Sequence, residues 1–75
     1  MSIGYMIKNF TKKTNNIGYE NYSRKIHKLQ KDYKTIYVYP KYDANFNIIG
    51  IDVVISAEKK DIDIISKKIM RILSI

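Results

Sequence analysis

The sequence predicts an α+β fold of order β-α-β-β-α, with a small antiparallel sheet in strand order 1-3-2 and two helices on one face. Three observations carry that expectation. Apolar residues recur at helical spacing over residues 17 to 34 and again over 58 to 73. They alternate at the two-residue period of half-buried strands over 3 to 9, 35 to 42 and 46 to 56. Pro40, which has no amide donor, confines its strand to a sheet edge. A right-handed crossover through the first helix leaves room for one strand between the first and second, and the third fills it. By topological analogy this is a ferredoxin-like arrangement lacking its last strand.

In the first strand, Ile3, Tyr5 and Ile7 share one face. The polar link "TKKTNN" follows, with Asn16 placed to cap the next helix. In that helix Tyr19, Tyr22, Ile26, Leu29 and Tyr33 form one apolar stripe, and at 100° per residue Arg24, Lys28 and Lys31 fall nearly opposite it, with Lys25 at their flank. A hairpin then turns around Asp43-Ala44-Asn45, where Asn45 tolerates a left-handed conformation. Keeping Ile36 and Val38 on the side of Val53 and Ile51 sets a register that places Tyr39 across from Gly50, where a ring covers the missing side chain. The opposite sheet face then carries Tyr37, Tyr39, Ile48 and Val54, with Lys41 and Asp52. The last helix points Ile62, Ile65, Ile69, Ile72 and Leu73 inward, with acids near its start and Lys67, Lys68 and Arg71 near its end, as the helix dipole favours.

Seventy-five residues make one domain, 1 to 75, with a thin core. The chain has no cysteine, which removes disulfides, thiolate metal sites and thiol nucleophiles and suits a cytoplasmic setting. Lys8 interrupts the start before any run of signal-peptide length, so no membrane association is expected. Isoleucine (15), lysine (12), tyrosine (7) and asparagine (6) dominate, as in an AT-rich genome, so total charge is discounted in favour of its placement. Residues 1 to 41 hold nine Lys/Arg against Glu20 and Asp32, whereas residues 42 to 75 hold five of each sign, so the whole net charge of +7 lies in the first half.

No enzyme is expected. His27 is the only histidine and stands between the stripe and the basic face. Asp52, Glu58 and Lys60 have the residue types of a metal-dependent nuclease, but Glu58 and Lys60 open a helix instead of continuing a strand. The three glycines form no phosphate-cradling loop, and no metal or cofactor is implied.

Two readings remain. In the first, the chain is a small basic nucleic-acid-binding protein that contacts the backbone of DNA or RNA through Arg24, Lys25, Lys28, Lys31, Lys34 and Lys41, with little sequence readout. In the second it is a protein-binding module, such as a phage or mobile-element inhibitor or adaptor of a host machine, whose partner is a protein or a protein-nucleic-acid complex. That reading uses an open strand edge or the apolar sheet face of Tyr37, Tyr39, Ile48 and Val54. The thin core, the open first strand and that apolar face together predict a homodimer. Tyr37 and Tyr39 are read as packing residues, because the aromatic-glycine signature of RNA-recognition domains is absent.

Overall fold

The computed structural model describes residues 4–75. Its elements are β1 (Tyr5–Lys13), α1 (Asn16–Gln30), β2 (Ile36–Tyr42), β3 (Ile48–Glu58) and α2 (Lys59–Leu73). The three strands form one antiparallel sheet in the order β1-β3-β2, as the sequence predicts. Both helices pack on one face. Ile26 of α1 and Ile62, Ile65, Ile69 and Leu73 of α2 join Ile36, Ile51, Val53, Ile55 and Ala57 of the sheet in a single core. Tyr19, Tyr22, Leu29 and Tyr33 line its rim, so the apolar stripe of α1 is committed to packing. Among the described residues no helix is long and apolar enough to cross a membrane.

The first strand lies further along the chain than the periodicity suggested. Ile3 falls outside the described residues, and Tyr5 and Ile7 are 64% and 71% exposed instead of half-buried. "TKK" is strand, not link, and the packing role passes to Phe10. The cause is the open sheet face: Tyr5, Ile7, Asn9, Thr11 and Lys13 all point to solvent, where Thr and Lys are as well suited as an apolar residue. On the other face, Lys12 reaches across the core rim to the carbonyl of Leu73 at the C-terminus of α2 and stands 5.3 Å from the centre of the Tyr22 ring. A cation there meets both the negative end of the helix dipole and an aromatic face. The helix cap moves too: Asn15, not Asn16, accepts the Gly18 amide through its side chain at 2.9 Å. Helix α1 ends at Gln30, whose amide turns to donate to the Ile36 carbonyl at 2.7 Å, and Tyr33 packs from the following turn.

The hairpin differs from expectation by two residues of register. Ile36 pairs with Ile55 and Val38 with Val53, and Lys41, not Tyr39, lies across from Gly50; Tyr39 faces Asp52. A two-residue shift preserves the faces, so the apolar set stays inside. The turn causes it. The Asp43 carboxylate accepts the backbone amides of Asn45 and Asn47 at 2.8 and 2.9 Å, closing a longer loop, and Ile49 is left as an extra residue opposite the Lys41/Tyr42 step. The left-handed residue is Phe46, with φ 63°, instead of Asn45. A Cβ at Gly50 would stand 3.0 Å from the backbone oxygen of Lys12, closer than a side chain is normally accommodated.

Two expected results follow from this turn. Phe46 is 83% exposed and makes little packing contribution to offset its backbone strain. Phe46→Gly should therefore raise stability by about 0.5–1 kcal/mol in urea unfolding, the net of removed strain and added chain entropy; a loss of stability would contradict the assignment. Asp43 gives a pH signature. The Asn47 amide above all, with Asn45 and the Asn47 side chain, holds its carboxyl below the usual carboxylate range against a smaller opposing effect of burial. A depressed pKa contributes stability above the unfolded value of about 3.9 and loses it as pH falls through the folded value. The difference in melting temperature between the wild type and Asp43→Asn should shrink as pH drops below about 4.

Candidate nucleic-acid interface

The apolar stripe of α1 fixes which way its cations face. With Ile26 fully buried, Arg24, Lys28 and Lys31 lie within about 40° of the direction straight out to solvent, and Lys25 flanks them. All four are exposed, as is Lys34 in the turn that follows. Among the described residues the only ion pairs are Lys41 with Asp52 at 3.8 Å and Lys60 with Glu58 at 3.6 Å. Thus neither Glu20, one turn before Arg24, nor Asp32, beside Lys31, neutralises this surface by contact.

The predicted set divides. Arg24, Lys25, Lys28, Lys31 and Lys34 belong to α1 and its exit, whereas Lys41 lies on the open face of the sheet, away from the helices, where Asp52 pairs with it. One flat nucleic-acid surface does not include both groups. Lys41 instead stands with Lys13 on either side of Gly50, and with Thr11, Lys12 and Ile49 they line a hollow of about 220 Å³. A second hollow of similar size, lined by Ile64, Lys67, Lys68 and Arg71, lies on the exposed side of α2. Sequence reasoning assigned those three cations only to the helix dipole; their i, i+1, i+4 spacing was the signal that they also share a surface.

The tyrosines are placed differently from one another. Tyr37 pairs with Val54 and Tyr39 with Asp52, whose other neighbours across the sheet are Asn9 and Thr11, on the open face, where the two tyrosines are 48% and 52% exposed. Ile48 lies beyond the bulge, opposite Tyr42. Because Lys41 lies across from Gly50, Tyr39 does not cover that glycine as expected. Tyr19 is set against the core rim; burial pushes its phenol up, with Tyr42 adding to the shift.

The catalytic candidates do not converge. His27 Nδ1 lies 2.6 Å from the Gln30 Oε1, and since the Gln30 Nε2 donates to Ile36, that oxygen must accept and the ring must donate. Asp52 accepts the Thr11 hydroxyl at 2.6 Å, and Glu58, six residues along the same strand, is about 20 Å away. Among the described residues no group of three His, Asp or Glu side chains is placed to hold a metal ion. Comparison with protein-family models, curated proteins and solved structures finds no match for this chain.

Proposed function

We propose that the protein binds the phosphate backbone of DNA or RNA through the exposed face of α1. The observation that carries this reading is the unneutralised group of Arg24, Lys25, Lys28 and Lys31 on a helix whose opposite side is locked into the core. Helix α1 and its C-cap Lys31 hold the four cations ready, so little ordering beyond their own side-chain rotamers opposes binding. Three of the four are lysines, which bring charge to a phosphate without the planar fork that reads a base edge, so the binding is nearly blind to sequence. Such a protein works where nucleic acid is, in the cytoplasm, without a cofactor and without catalysis. The test is the anisotropy of a labelled mixed-sequence oligonucleotide, duplex and single-stranded, titrated at low salt.

A second reading has its own support. Tyr5, Ile7, Tyr37 and Tyr39 are all exposed on the open sheet face, more apolar surface than water favours on so small a molecule. In that reading the chain is a protein-binding module, such as a phage or mobile-element inhibitor or adaptor, and α1 only keeps it soluble. It predicts that changes at Tyr37 and Tyr39 disturb binding while changes at Arg24 and Lys28 do not.

A further inference from the structure

The ladder hydrogen bonds decide which strand edge is open. The Thr14 amide donates to the Ile49 carbonyl at 3.2 Å, and the Ser56 amide donates to the Thr35 carbonyl at 3.1 Å. Both pairs continue the observed registers. In an antiparallel ladder bonded and non-bonded pairs alternate, so the even-numbered residues of β1 bond to β3 and the odd-numbered ones turn their N–H and C=O groups outward. On β2 the same count turns Pro40 outward, where its missing donor blunts that edge. The edge of β1 has no such residue: Tyr5, Ile7, Asn9, Thr11 and Lys13 present an unbroken row of donors and acceptors.

We infer that this edge pairs with the same edge of a second copy, in antiparallel register about Asn9, to make a six-stranded sheet. A two-fold axis requires outward-facing residues to meet outward-facing residues, which leaves few registers. Centring on Lys8 sets Lys8 against the partner's Lys8, and centring on Phe10 sets Lys8 against the partner's Lys12; like charges directly opposite one another are unfavourable. Centring on Ile7 avoids that but pairs only part of the strand. Centring on Asn9 uses all of Tyr5–Lys13 and sets every lysine against an uncharged side chain. Lys13 meets the partner's Tyr5, Lys12 the partner's Met6, and Lys8 the partner's Phe10. Five bonded pairs supply about ten backbone hydrogen bonds. The lysines that defend this edge against other chains are thus arranged to admit a copy of itself. Tyr5 and Ile7, 64% and 71% exposed in the single chain, gain cover in the pair.

The inference is independent of nucleic-acid binding and is tested on protein freed of nucleic acid. Sedimentation at micromolar concentration should give 17.8 kDa, twice the 8.9 kDa of one chain. Added salt should strengthen the dimer by screening the repulsion of two chains of charge +7, opposite to its effect on phosphate contacts. The chain has no cysteine, so single substitutions report the register directly. Asn9→Cys should form an intermolecular disulfide faster than Ile7→Cys or Lys8→Cys, because only there do the two Cα atoms meet at about 5.5 Å, within disulfide reach. Asn9→Pro, which removes only an outward donor, should leave the monomer folded and abolish the dimer. A mass of 8.9 kDa at every concentration overturns the inference. So does a dimer that survives Asn9→Pro, or one in which Ile7→Cys or Lys8→Cys crosslinks faster.

Discussion

Ile55→Ala is expected to remove a third or more of the protein's stability. Ile55 is fully buried on the central strand, flanked by Ile36 of β2 and Lys8 of β1, and lies under both helices' core residues. Truncating a buried isoleucine to alanine removes about 2–5 kcal/mol, the transfer free energy of the lost carbons plus a cavity that a rigid sheet cannot collapse. A domain of this length is stable by only about 4–11 kcal/mol in total. Circular dichroism through a urea titration should show the midpoint fall by a third or more of its wild-type value. A loss under about 1 kcal/mol would show that the core refills around Ile55 and that the packing is looser than described. Truncation of Phe46, almost wholly in solvent, should do nothing of the kind.

Much of this core was legible from spacing alone. The stripe of Tyr19, Tyr22, Ile26, Leu29 and Tyr33 and that of Ile62, Ile65, Ile69, Ile72 and Leu73 are both present, because a period of 3.6 allows no other face to be buried. Pro40 marked its edge strand because a missing donor has few tolerable positions in a sheet. What spacing did not reveal follows from local chemistry. Asp43 shifts the hairpin by two residues by binding two amides of its own turn, a choice that alternation cannot distinguish because it leaves every face unchanged. The polar run Thr11-Lys12-Lys13 reads as a loop until the sheet shows that one side of β1 faces water and that Lys12 has a carbonyl to reach. The basic face of α1 was visible as soon as the stripe was, since one defines the other. Lys41 was grouped with it by proximity in sequence, although the strand period already placed it on the sheet face away from the helices, where the structure has it.

The largest functional effect is expected from removing charge on α1. Each cation that neutralises a phosphate releases condensed counterions, so the logarithm of affinity falls with the logarithm of salt by about 0.9 per contact on duplex DNA and about 0.7 on single strands. Four contacts from Arg24, Lys25, Lys28 and Lys31 therefore give a slope of about 3 to 4. Glutamine keeps the helix propensity of arginine and lysine while removing the charge. In Arg24→Gln/Lys28→Gln/Lys31→Gln the fold should be retained, and the slope should fall by about two to three units. At low salt, where the electrostatic share is greatest, this variant should lose most of its affinity. Tyr37→Ala and Tyr39→Ala lie on the far face of the sheet and should leave the slope unchanged.

The salt dependence of oligonucleotide binding, measured side by side for the wild type and the triple glutamine variant, is the most direct test. The account predicts a steep wild-type slope of about 3 to 4 that drops to about 1 in the variant, with matching circular dichroism spectra. Absence of binding to either DNA or RNA at low salt, or an equal slope in the two proteins, would contradict it and leave the protein-binding reading in its place.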